Sequence, residues 1–173
     1  MISSQNGRSK PKEIGLPDGT YHIRCKSSEE YLTRTLYWDS NTFAYKHYIS
    51  KRNGFIGTTS GEIELNTRNG IVSFRHVCTD RYMVVNPQND SQLSFHEYFG
   101  PYSEFGEIHT AFELIPPIKN ADASAGYVIY SVEKQCYVRV HSNKLLANES
   151  DISKATVFIF VPRLLISNLF VYH

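Results

Sequence analysis

Bulky and polar residues alternate in short runs along the chain. Examples are Thr20-Tyr21-His22-Ile23-Arg24, Ile71-Val72-Ser73-Phe74-Arg75 and Tyr127-Val128-Ile129-Tyr130-Ser131. A period of two sends successive side chains to opposite faces of an extended backbone, so each run predicts a half-buried strand. Asn53-Gly54 and Asn69-Gly70 separate such runs and carry the backbone preferences of tight turns. The pattern predicts an all-β chain.

The runs recur in phase. Each begins after a glycine, at Gly19, Gly70 and Gly126. Two positions on stand Tyr21, Val72 and Val128; four positions on stand Ile23, Phe74 and Tyr130. A Tyr-apolar pair follows in each unit, Tyr31-Leu32, Tyr82-Met83 and Tyr137-Val138. The units close on Ile63-Glu64-Leu65, Phe112-Glu113-Leu114 and Phe158-Ile159-Phe160. The period is about 50 residues, repeated three times, and such repetition marks a modular architecture. Short strands in an open sheet would leave unpaired edges, which closure removes. The expectation is a β-trefoil over 19–163, a six-stranded barrel with three hairpins. The phased apolar and tyrosine positions are expected to fill its core, with a polar leader over 1–18 and an apolar tail over 164–173.

The 173 residues suit one domain. Lys and Arg number 18 against 17 Asp and Glu, which excludes a globally basic nucleic-acid binder. No run approaches the ~18 apolar residues of a spanning helix, so no membrane insertion is expected. Cys25, Cys78 and Cys136 lack zinc-ligand spacing and read as small buried hydrophobes. The seven histidines, likewise, show no metal-ligand spacing. Asn89-Asp90-Ser91 and Asn148-Glu149-Ser150 are glycosylation sequons, placing candidate acceptors at Asn89 and Asn148. The polar N-terminus is not a signal peptide as it stands.

The run Gly70-Ile71-Val72-Ser73-Phe74-Arg75-His76-Val77-Cys78-Thr79-Asp80-Arg81-Tyr82-Met83 resembles the corresponding stretch of fibroblast growth factors. Phe112-Glu113-Leu114, Tyr127-Val128-Ile129-Tyr130-Ser131, Cys136-Tyr137-Val138, Lys154-Ala155 and Phe160-Val161-Pro162-Arg163 are similar to later segments of that family. The resemblance spans about residues 19–163 and is densest over 70–83. The first unit is stretched between Thr33 and Thr59, and the loop over 95–106 is longer than the family's turn.

The resemblance implies a secreted ligand of a receptor tyrosine kinase, bound through the receptor's immunoglobulin-like ectodomain, with heparan sulfate as co-receptor. It implies a receptor face containing Arg24, Tyr127, Val161 and Arg163. Arginine and aromatic side chains suit such a face because they dominate interface energetics. The implied heparan site draws on Lys26, Lys134, Arg139, His141, Lys144 and Lys154. These cations are sparse, and Glu149 and Asp151 interrupt them, so heparan binding is expected to be weak and salt-sensitive. The chain is expected to be monomeric in isolation.

No nucleophile elbow, zinc-protease motif, phosphate loop or dinucleotide fingerprint is present, so neither an enzyme nor a cofactor is expected. The single tryptophan, Trp38, belongs to no Gln-x-Trp motif, which argues against a ricin-type lectin. The alternative reading is an intracellular fascin-like β-trefoil that binds actin or acts as a scaffold.

Overall fold

In the computed structural model the described residues are 16–28, 30–39, 44–52, 61–85, 91–96, 107–119 and 122–163. They form twelve strands: β1 (Gly19–Cys25), β2 (Tyr31–Asp39), β3 (Ala44–Arg52), β4 (Glu62–Arg68), β5 (Ile71–His76), β6 (Arg81–Val85), β7 (Leu93–His96), β8 (Phe112–Ile115), β9 (Tyr127–Ser131), β10 (Cys136–His141), β11 (Lys144–Glu149) and β12 (Val157–Pro162). Short 3-10 turns at Glu107–Thr110, Ala123–Ala125 and Ile152–Lys154 lie between them. Every alternating run of the sequence falls on a strand, because each can bury one face and solvate the other.

Six strands close into a ring. β1 pairs antiparallel with β12 and β4, β4 with β5, β5 with β8, β8 with β9, and β9 with β12. The hairpins β2–β3, β6–β7 and β10–β11 extend from it. They touch one another: Tyr48 of β3 pairs with Ser94 of β7, and the backbone N–H of Ala147 donates to Ser91 at 2.7 Å. Asn69-Gly70 forms the two-residue turn between β4 and β5, with φ of 53° and 78°, as a mirror-image hairpin turn requires.

The core is aromatic. Phe74 stacks on Phe160 at 6.3 Å and tilts against Phe112 at 5.6 Å, while Tyr21 and Tyr127 meet Phe160 edge-on, each at 6.0 Å. Offset and edge contacts of this kind favour the ring quadrupoles beyond simple area burial. His76 is fully buried, with Nδ1 2.7 Å from the Thr79 hydroxyl, so it is a satisfied core residue.

Four expectations need correction. In β9 Val128 is fully buried as expected, but the face that joins the barrel core carries Tyr127, Ile129 and Ser131, one residue off the glycine-based phase, and Tyr130 faces outward. Of each Tyr-apolar pair only Leu32, Met83 and Val138 are core residues, and Tyr31, Tyr82 and Tyr137 stand half-buried outside. Cys25 is buried as expected, but Cys78 is exposed in the turn before β6. The expected leader ends too late: Leu16 is buried, Asp18 Oδ1 accepts from the Thr67 backbone at 2.9 Å, and Tyr21 donates its hydroxyl to the Pro17 carbonyl. Residues 16–18 therefore belong to the barrel. The tail over 164–173 lies outside the described residues.

Candidate functional site: the outer face of the first and last strands

The β1–β12 ladder pairs Arg24 with Ile159 and His22 with Val161. Directly paired residues share a face. Since Ile23 and Phe160 point into the core, Arg24, Ile159 and Val161 point outward. Arg163 follows immediately and is exposed, its Nε 3.4 Å from Glu62 Oε1. Three of the four expected receptor residues thus share one face. Tyr127 does not: it is 5% exposed and packs its ring on Phe160. Burial, reinforced by Asp122, raises its hydroxyl pKa above the ordinary value.

Beside this face lies an open groove of about 680 Å³, lined by Leu16, Pro17, Tyr21, Phe160, Pro162 and Arg163 among others. The lining is mostly apolar, and Asp18 and Arg163 bring opposite charges to it. His22, paired with Val161, shares this face by parity yet is only 3% exposed; it lies opposite Glu62 in the β1–β4 ladder and edge-on to Tyr31 at 6.4 Å. Burial lowers its pKa and Arg163 adds to this, against the opposing pull of Glu62. Gly61 leaves it room, since a Cβ there would meet His22 Nδ1 at 3.3 Å.

The expected heparan residues do not converge. His141 and Lys144 face each other across the tip of the β10–β11 hairpin, and Arg139 is one outward position below. Lys154 is exposed on the turn Ile152–Lys154, and Thr156, two residues further on, accepts at its hydroxyl from the Val140 N–H of β10 at 2.8 Å. Lys134 precedes β10 at its other end, about 20 Å from His141 along an extended strand. Lys26 lies in the turn after β1, where its Nζ is 3.4 Å from the Ala125 carbonyl. Asn148 is exposed on β11, and its Oδ1 accepts from Arg139 Nε at 2.7 Å. Asn89 lies outside the described residues.

Two features of the molecule were not expected from the sequence. One is the buried His22 against Glu62 and Arg163, which is only an ordinary polar position in an alternating run. The other is the outward pair Tyr130–Tyr137, with ring centroids 5.1 Å apart and planes at 60°. The outward-facing Arg139 and His141 on the same strand were the available signal, because Tyr137 shares their parity. Among the described residues no group of acidic, histidine or cysteine side chains could hold a metal ion, and no helix is long and apolar enough to cross a membrane.

No protein-family model and no curated protein matches the chain. Solved structures do. A salivary protein from Culex quinquefasciatus, of the Cysteine and Tryptophan-Rich family, is similar at TM-score 0.64 and 12% identity, over 85% of this chain and 95% of that one. The designed 3-fold symmetric protein ThreeFoil matches at 0.61 and 11%, over 83% and 99%. SeviL, solved bound to the asialo-GM1 saccharide, matches at 0.58 and 9%, over 85% and 99%. Likeness at such identities concerns the fold alone: the chain is an all-β protein with a closed, barrel-like sheet of trefoil-like form.

Proposed function

We propose that the chain is a β-trefoil of three units of about 50 residues, β1–β4, β5–β8 and β9–β12. In this reading it is a secreted ligand that binds and activates a fibroblast growth factor receptor through the outer face of β1 and β12. The observation that carries the reading is the β1–β12 register, with Arg24, Ile159 and Val161 outward beside Arg163 and the apolar groove. Arginines around aliphatic side chains suit hot spots in a protein interface. The resemblance over 70–83 bears mainly on the barrel, because Val72, Phe74, His76 and Met83 are fully buried. A heparan sulfate co-receptor would meet only His141, Lys144, Arg139 and Lys154, a sparse set that gives weak, screened binding.

The test is titration against an immobilised growth-factor-receptor ectodomain, with and without heparin. Saturable binding weakened at least ~10-fold by Arg163→Glu, equivalent to ~1.4 kcal/mol, supports the reading. No saturable binding by a chain that melts cooperatively overturns it and favours a scaffold role.

A further inference from the structure

A row of side chains crosses four strands on the outer face, Glu113 on β8, Tyr130 on β9, Tyr137 on β10 and Glu149 on β11, each directly paired with the next. The β10–β11 register shifts between Tyr137 and Val138, so Asn148 and Glu149 together oppose Tyr137. An extra residue of this kind bends a strand and re-aims its side chains. Here it brings Asn148 beside Tyr137, within 2.7 Å of Arg139 Nε. Glu149 is also held, its Oε1 accepting from the Asp151 backbone at 3.1 Å. The two tyrosine rings, 5.1 Å apart, form a half-buried aromatic platform at the centre.

Each part of this face has a chemical complement. Aromatic faces carry negative quadrupole charge and attract the polarised C–H groups of a sugar ring. Carboxylates accept hydrogen bonds, a guanidinium donates them, and a carboxamide does both. A hydroxyl also does both, so a polyhydroxylated ring satisfies this mixed set. The two carboxylates at the ends of the row oppose a polysulfated chain, because like charges repel.

We propose that this face binds a short neutral oligosaccharide, stacked on Tyr130 and Tyr137 and held through its hydroxyls by Arg139, Asn148 and Glu149. The site is separate from the receptor face and does not rest on the receptor reading. Its platform comes from tyrosines on two strands, so no tryptophan motif marks it in the sequence.

The experiment is saturation-transfer NMR on the full chain with lactose, maltose and N,N′-diacetylchitobiose, followed by titration. At least one should bind saturably with a Kd below about 10 mM, and Tyr137→Ala and Asn148→Ala should each weaken it about tenfold. Arg68→Ala, in the β4–β5 hairpin, should leave it unchanged. Because Tyr137 is half-buried, the exposed Asn148→Ala keeps the test valid if Tyr137→Ala fails to fold. Absence of saturable binding by all three sugars overturns the proposal. So does equal binding by the wild type and Asn148→Ala, or a heparin disaccharide that binds this face more tightly than the neutral sugars. Arg139 is common to this face and to the heparan residues, so the receptor titration without heparin is the arm that reads a different surface, and on that arm the two proposals fail independently.

Discussion

Arg163 reaches across the barrel seam to Glu62, its Nε 3.4 Å from the Glu62 Oε1. The pair is lopsided: the arginine side chain is 56% exposed and the glutamate 12%. Solvent screens the exposed end, so Arg163→Ala is expected to cost no more than about 1 kcal/mol of stability. Arg163→Glu places a second carboxylate beside Glu62 and should cost more. Urea unfolding of both variants checks the order. If Arg163→Ala proves the more damaging, this account of the seam is wrong. The alanine variant is also the milder probe of partner binding.

His22 predicts an acid-sensitive fold. Its pKa is lowered from 6.5, first by burial and then by Arg163, with Glu62 opposing. The unfolded chain therefore binds this proton at higher pH than the native chain. Its contribution is fully present above about pH 6.5 and is lost as pH falls through the lowered native value. Denaturant unfolding at pH 7.5 and at pH 5 should show lower stability in acid, and His22→Gln should reduce that difference. An unchanged pH dependence in the variant would assign the effect to other groups.

Phe74 touches both Phe112 and Phe160 and is fully buried. Phe74→Ala removes the shared ring from a packed interior and is expected to cost about 3–5 kcal/mol. Phe74→Leu should cost less, because it leaves a smaller cavity. Thermal unfolding of the two variants reads the ordering.

Gly126 has φ +82°, and a Cβ there would meet the Phe158 carbonyl at 2.6 Å and Val157 Cγ1 at 2.8 Å. A backbone oxygen cannot rotate away as a flexible side-chain end can. Gly126→Ala should therefore destabilise the protein by about 1–3 kcal/mol, through overpacking and left-handed strain together. A wild-type melting temperature in this variant would contradict the close approach of β9 and β12.

Heparin retention should be weak and purely ionic, with elution below about 0.5 M salt. Lys144→Ala should elute earlier, because Lys144 lies opposite His141 at the hairpin tip. Lys134→Ala should elute with the wild type, because Lys134 lies at the other end of β10. Equal shifts for the two variants would mean that the cations act as one field rather than as a site.

Much of the strand layout was legible in the sequence. Alternation located the strands that carry Ile23, Phe74 and Phe158, and Asn69-Gly70 marked a turn whose positive φ values only a few residues adopt cheaply. These signals are local: a strand's period and a turn's backbone preference lie within a few residues. The 3-10 turns were not legible, since Glu107–Thr110, Ala123–Ala125 and Ile152–Lys154 are too short to carry a periodic pattern.

What the chain's pattern determined by itself was its all-β class, the positions of its strands and the scarcity of clustered charge. What only the tertiary structure decided was which face each residue shows. β9 is the clearest instance, since Tyr127, Val128 and Ile129 are all apolar and admit either parity. Pairing settles the matter: Ile129 lies opposite Leu114 and Tyr127 opposite Phe158, both core residues. Tyr127 is drawn into the barrel, and Tyr130 is turned outward against Tyr137. With a side-chain period of two, a one-residue slip exchanges core for surface, and only the neighbouring strands supply the register that forbids it.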